Sequence, residues 1–338
     1  MKKFLFYKTL ALALCMLAFS CDKKTEEIVY KPTYTPAPVD STALTPLPTT
    51  WKKAVHLMKN FPTGIQVYLN NSNINSKKAL LYAIVLDPKL IELKPTLSAT
   101  NKKTSAFYDA EPGLKYAAIN GGFFGTNATY SLSMYKDVVD GINIKSLTRT
   151  YNGANATYYP TRAAFGLTAD NTPNVTWIYH TGTGNGIVYS YPNPAANKLN
   201  SAPLAQPTAT FPTGGVIWNA TTAIGGSPML IKNSAINISD AEELIEIDNT
   251  SSRARTAIGY TANNRVIIVA AEGNNANGAA GLTLAELADI MKNMGCVGAI
   301  NLDGGGSTAM YINGMHTVKP SDAAGERAVV TALVIKGK

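Results

Sequence analysis

Short apolar runs dominate this chain and limit its fold more than any other feature. IQVYL (65–69), ALLYAIVL (79–86), YAAIN (116–120), AFGLT (164–168), VTWIYH (175–180), GVIWN (215–219) and PMLIK (228–232) are rich in β-branched and aromatic residues. Gly, Pro, Asn and Ser separate them. Runs of this length predict strands. The clearest helical segment is 283–294: Leu284, Leu287, Ala288 and Met291 share a face, Thr283 and Glu286 form a capping box, and Gly295 stands where a helix ends. No repeat of solenoid or propeller period is present.

The helix lies between two apolar runs, RVIIVAAE (265–272) and VGAINL (297–302). Strand, helix, strand at this spacing predicts a βαβ crossover with parallel strands. TAMYI (308–312), an Asn313-Gly314 hairpin signal and AVVTALVIK (328–336) complete the chain. The expected fold class is α+β, a mixed α/β arrangement: central twisted mixed β-sheets, a C-terminal βαβ unit and few flanking helices.

This topology places two acids. Glu272 directly follows the first strand and Asp303 the second. Parallel strands end at one sheet edge, where open α/β sheets bind ligands. Were the two strands neighbours, their backbones would lie about 4.8 Å apart and both carboxylates would face one cavity. Gly304, Gly305 and Gly306 leave Asp303 approachable and can turn amide N–H groups toward an anion, while Ser307 and Thr308 add hydroxyls. A bulge that merely reverses the chain is the plainer account of the same residues.

Three further groups invite the same question. NGGFF (120–124) follows a strand and offers Asn120 as a hydrogen-bonding group. Arg253 and Arg255 share one face of SSRARTAIGY (251–260), and a guanidinium suits phosphate because its planar fork donates two parallel bonds. Asp322, Glu326 and Arg327 stand close together in PSDAAGERA (320–328), where a surface ion pair is the ordinary reading. His56, His180 and His316 lack any metal-ligand spacing, and no metal or other cofactor is predicted.

The ends set the location. Lys2, Lys3 and Lys8 precede or enter TLALALCMLAFS, an apolar run too short to span a bilayer. Residues 1–20 read as a signal peptide and LAFSC as a lipoprotein signal with Cys21 as the lipidated residue. Residues 21–50, rich in Pro and Thr, read as a tether, and 51–338 as a single domain. The chain is then exported to a bacterial cell envelope and meets the membrane only through its N-terminal lipid. Cys296 is left without a disulfide partner. The net charge of +8 is scattered rather than blocked, so a nucleic-acid partner is not indicated.

Taken together, NGGFF (120–124), FGL (165–167), GGSPMLIKN (225–233), ARTAIG (254–259), GLTLAELADIM (281–291), INLDGGGST (300–308) and PSD (320–322) resemble the phosphodiester glycosidase family. The resemblance runs through about 115–335. It implies a hydrolase that cleaves the bond between an anomeric carbon and phosphate in a phosphodiester-linked glycan, such as one carrying N-acetylglucosamine. It further implies that Asn120, Arg255, Thr256 and Asp303 line the site, with Arg327 beside them. Glu272 falls where the family often has Asp. The chemistry agrees: an anomeric centre losing phosphate develops oxocarbenium character, which a carboxylate stabilises, attacks or supplies with activated water. Two rival readings use the same residues, a non-catalytic glycan-binding lipoprotein and a phosphodiesterase that cuts the phosphorus–oxygen bond.

Overall fold

The computed structural model describes residues 43–245 and 249–338. The signal segment, Cys21 and most of the tether lie outside the described residues. The short runs fold as strands, and the structure is predominantly β: sheets of eight, seven and five strands, two two-stranded ribbons and two α-helices among the described residues. Six strands position the site: β1 (Lys115–Asn120), β2 (Arg162–Thr168), β3 (Met229–Lys232), β4 (Arg255–Thr261), β5 (Val266–Ala271) and β6 (Cys296–Asn301). The helices are α1 (Thr104–Ala110) and α2 (Leu284–Asn293).

The sheet that holds the two acids differs from expectation. β5 and β6 run in the same direction, but β4 lies between them and pairs antiparallel with each, Ala257 facing Val269 on one side and Asn301 on the other. All strand pairings among the described residues are antiparallel, so the expected mixed sheet with neighbouring parallel strands is corrected. The cause is local. A turn through Asn264, at φ 60°, folds β4 and β5 into a hairpin before α2 begins. Asn tolerates this left-handed conformation better than most residues.

Alternation assigns the two faces of this sheet. Ala257, Val269, Ala271 and Ala299 pack under Leu284, Leu287, Ala288 and Met291 of α2. Ile258, Ile268, Ala270 and Ile300 turn the other way and pack with Ile119, Phe165, Trp177 and Leu333 of the other two large sheets. The helix starts as its sequence predicts: Thr283 Oγ1 accepts from the Glu286 N–H at 3.2 Å, and the Glu286 carboxylate accepts from the Thr283 N–H at 2.9 Å.

One buried acid joins the seven- and eight-stranded sheets. Glu243 is fully buried. Its Oε1 accepts from Trp177 Nε1 at 3.0 Å, the Met229 N–H at 2.8 Å and Ser239 Oγ at 2.6 Å. Its Oε2 accepts from the Ala163 N–H at 3.0 Å and Ser227 Oγ at 2.5 Å. Burial raises its pKa, while the two serine hydroxyls and the two backbone N–H groups pull it back down.

Candidate active site

Asp303 follows β6 by two residues, and both of its peptide groups are held. Its N–H donates to Gly121 O at 3.2 Å, and its carbonyl accepts from Asn120 Nδ2 at 2.8 Å. The side chain remains partly exposed, with Oδ1 accepting from the Gly304 N–H at 2.9 Å. Burial pushes the carboxyl pKa up to about 6, against the opposing effects of the Ser307 hydroxyl, the Gly304 N–H and the Arg327 charge.

Gly304 and Gly306 serve close approach, and Gly305 a left-handed turn. A Cβ on Gly304 would stand 2.8 Å from Ala254 O. One on Gly306 would stand 2.1 Å from Arg327 Nη2 and 2.2 Å from Asp322 Oδ1. Gly305 sits at φ +58°, opening a 3₁₀ turn through Gly305–Ser307. Their amides were expected to face a bound anion. Instead the Gly304 N–H is used by Asp303 and the Gly305 N–H donates to Ala254 O at 2.8 Å. Ser307 is buried beside Arg327, and Thr308 is buried within contact of Thr256.

Asn120 and Thr256, expected to line the site as substrate-binding residues, are tied into the fold instead. Both are wholly buried. Asn120 ends β1 in the five-stranded sheet and Thr256 belongs to β4 in the eight-stranded one. Asn120 Oδ1 accepts from Thr256 Oγ1 at 2.8 Å and from the Ala309 N–H at 3.1 Å. The amide therefore fastens two sheets and the glycine loop together instead of reaching for a substrate.

Arg255 also departs from expectation. It shares the face of Ala257, the face that α2 covers. The buried guanidinium donates from Nε to Leu282 O at 2.9 Å and from Nη2 to Ser251 O at 3.0 Å. The side chain holds the chain entering β4 against the segment that leads into α2.

Glu272 follows β5 and is buried. Its Oε1 accepts from the Lys319 N–H at 2.6 Å, and Asn277 Nδ2 lies 3.2 Å from both carboxylate oxygens. Burial raises its pKa, opposed by the Lys319 N–H, the Asn277 amide and the charges of Lys319 and Lys78. Glu272 and Asp303 stand at the same sheet edge, but β4 separates their strands. Two strand steps of about 4.8 Å put the backbones about 10 Å apart. Arg327, in contrast, stands near enough to Asp303 for its charge to lower the carboxyl pKa. Its Nε and Nη2 donate to Asp322 at 2.8 and 3.0 Å, directly over Gly306, and Nη1 reaches Ser307 Oγ at 3.4 Å. Asp322 is thus more than a surface partner, since it fixes the cation that faces Asp303.

A family model for phosphodiester glycosidases matches residues 115–336, more than half of the chain. The chain is 34% identical over 110 residues to mouse N-acetylglucosamine-1-phosphodiester alpha-N-acetylglucosaminidase and 36% identical over 109 residues to the human protein of that name. Each alignment covers 29% of this chain and 21% of the relative, so the match spans about a fifth of the length of those relatives. The catalytic domain of the zebrafish enzyme, solved auto-inhibited by its pro-peptide, has a similar fold, with a TM-score of 0.52 at 18% identity over 81% of this chain and 83% of that one. A hypothetical protein from Synechocystis has a TM-score of 0.55 at 17% identity, over 82% of this chain and 63% of that one. The extent of the family match and the glycine-flanked acid at the end of β6 lead to one conclusion: the chain belongs to the phosphodiester glycosidase family.

Proposed function

We propose that this chain hydrolyses the sugar–phosphate bond of a glycosyl-1-phosphodiester, such as an N-acetylglucosamine-1-phosphodiester, to a free sugar and a phosphomonoester. The observation that carries the reading is Asp303: a partly exposed carboxyl at a sheet edge, its backbone clamped on both sides, with an anchored guanidinium nearby. In this reading the Asp303 carboxylate acts at the anomeric carbon, as nucleophile or as the base for an attacking water. The bond from that carbon to the phosphate oxygen breaks, and the electron pair leaves with the phosphate. Glu272 is the second acid of the site. Asn120, Thr256 and Thr308 act as positioning residues, holding the loop that carries Asp303, while Arg255 braces the chain entering β4.

Hydrolysis in ¹⁸O-labelled water tests the bond that breaks. Label in the released sugar supports the glycosidase; label in the phosphate identifies phosphorus–oxygen cleavage and rejects the proposal. No turnover across a panel of glycosyl phosphodiesters favours the binding-protein reading.

The pH dependence follows from the sign of the Asp303 shift. A carboxyl with a pKa of about 6 is mostly protonated at pH 5 and mostly ionised at pH 7. A nucleophile or base must be ionised, so kcat/KM should rise about tenfold between those values. A fall across the same range would instead make Asp303 the acid.

A further inference from the structure

Residues 317–327 form a strap between the short strand Met315–His316 and the last strand, Ala328–Gly337. The strap meets one acid of the site directly and the loop of the other. Near its start the Lys319 N–H donates to Glu272 Oε1 at 2.6 Å. Farther on, Asp322 and Arg327 lie across Gly306, so close that a Cβ there would stand 2.2 Å from Asp322 Oδ1 and 2.1 Å from Arg327 Nη2. The strap builds this pair by itself. The Gly325 N–H donates to Asp322 O at 3.0 Å, and Gly325 sits at φ +90°, which suits glycine and strains other residues. The turn brings Asp322 back to Arg327, where Oδ2 accepts from Nε at 2.8 Å and Oδ1 from Nη2 at 3.0 Å.

The contact of this pair with the Asp303 loop is weak in itself: Arg327 Nη1 reaches Ser307 Oγ at 3.4 Å, a long bond. A firmer hold lies one residue earlier. Ala328 faces Lys103 where the last strand pairs with Ile91–Lys103. Two further antiparallel steps bring Glu326 opposite Ser105, where α1 has already begun. Lys103, at the helix N-cap, has no side-chain oxygen to offer the free N–H groups of the first turn. Glu326 supplies the acceptors instead: Oε1 takes the Ser105 N–H at 2.9 Å and Oε2 takes Ser105 Oγ at 2.6 Å. Its side chain is 6% exposed, with His316 Nε2 at 3.8 Å from Oε2. Hydrogen bonds to a carboxylate are among the stronger ones. Adjacent in sequence, Glu326 thus grips α1 while Arg327 lies on the glycine loop.

We propose that Glu326 is a positioning residue of the site: by fastening the strap to α1, it sets the Arg327 guanidinium against the loop that carries Asp303. Glu272 fastens the other end through the Lys319 N–H, and the exposed Ala323 and Ala324 lie between the two anchors. The strap acts on Asp303 through charge. Burial raises the Asp303 pKa, and the Ser307 hydroxyl, the Gly304 N–H and the Arg327 charge oppose it. A guanidinium held in place favours the ionised carboxylate, the form that a nucleophile or base requires. Reading this as a role in catalysis rests on the glycosidase reading; the fastening of the strap does not.

Titration of the Asp303 carboxyl by ¹³C NMR, in the full chain labelled at aspartate Cγ and assigned by its absence in Asp303→Asn, tests the proposal. Arg327→Ala should raise the Asp303 midpoint by about 1 pH unit, since the cation is lost and the Asp322 carboxylate left behind acts in the same direction. Glu326→Ala should raise it by at least half as much with Arg327 still present. Losing the Glu326 charge would by itself lower the midpoint, so a rise reports the strap. Glu326→Asp keeps the charge but shortens the reach to Ser105, and should raise the midpoint as Glu326→Ala does; it serves if the alanine variant does not fold. Glu326→Gln should stay near wild type, because its amide oxygen still accepts the Ser105 N–H and the hydroxyl can turn to accept from its NH₂. Adding Glu326→Ala to Arg327→Ala should raise the midpoint no further. An unchanged midpoint in the folded Glu326→Ala or Glu326→Asp variant, or an equal further rise on top of Arg327→Ala, overturns the proposal. Failure of wild type to turn over any glycosyl phosphodiester would reject the glycosidase reading, while the titration, which needs no substrate, still decides the strap.

Discussion

Asp303→Asn should lower turnover of a glycosyl phosphodiester by on the order of 10³-fold or more while the protein stays folded. Asparagine keeps the shape and the Oδ1 that accepts from the Gly304 N–H. It removes the ionisable group, and with it the nucleophile or base. Stability gives the test a second reading. The folded state raises the Asp303 pKa from 3.8 to about 6, so it binds that proton more tightly than the unfolded chain does. For a raised carboxyl the favourable contribution is full at pH below 3.8 and lost as pH rises through 6. At pH 8 the ionised carboxylate is a burden on the fold, and the neutral amide relieves it. The variant should therefore melt at or above the wild-type temperature at pH 8 while being inactive, the usual exchange of stability for function at a catalytic group. Wild-type turnover in Asp303→Asn would reject the catalytic role. Inactivity with a much lower melting temperature would make Asp303 a structural residue.

Glu243→Leu should cost about 3–5 kcal/mol of folding free energy. The substitution takes the shared acceptor from the Ala163 and Met229 N–H groups, the hydroxyls of Ser227 and Ser239, and Trp177 Nε1, in an interior from which water is excluded; of these Trp177 Nε1 keeps a second acceptor, Ser239 Oγ at 3.0 Å. The two backbone N–H groups, which cannot turn to other partners, carry a desolvation cost of about 1–3 kcal/mol each. Glu243→Gln should lie between the two, because its amide keeps one acceptor oxygen but brings two donors into a ring of donors. Urea denaturation measures both variants. The midpoint should fall with little change in slope, since the area exposed on unfolding is unchanged. A loss below about 1 kcal/mol for Glu243→Leu would show that the five donors find other partners.

Glu243 could not be picked out from the sequence, and the reason is physical. Glu243 stands beside Glu242 in a polar stretch, SDAEEL, which reads as a solvated turn. Only the long-range packing of β3 against the seven-stranded sheet makes it an interior acid. What local patterning governs was legible: the strands, the α2 capping box, and the acids at the ends of β5 and β6. Sheet order was not, because alternation gives a strand its faces but not its neighbours. The turn that pairs β4 with β5 passes through Asn264 at φ 60°, and Asn263-Asn264 is the local signal from which it could have been expected. Arg255 shows the same limit: Arg253 lies outside β4 and is exposed, whereas Arg255 opens β4 and is buried on the face that α2 covers, which the sequence does not say. Arg327 and Asp322 were visible as a pair; what hid their place was Gly306, whose missing side chain lets them lie across the loop.

The Asn120 amide ties two separate sheets to a single loop, and this bears on how the protein can diversify. Sliding one layer past the other would break three bonds at once: those to Thr256, Ala309 and Asp303. The amide is therefore a rivet between the sheets, not a hinge. New substrate preferences in such a scaffold would arise by remodelling surface loops, leaving this clamp untouched.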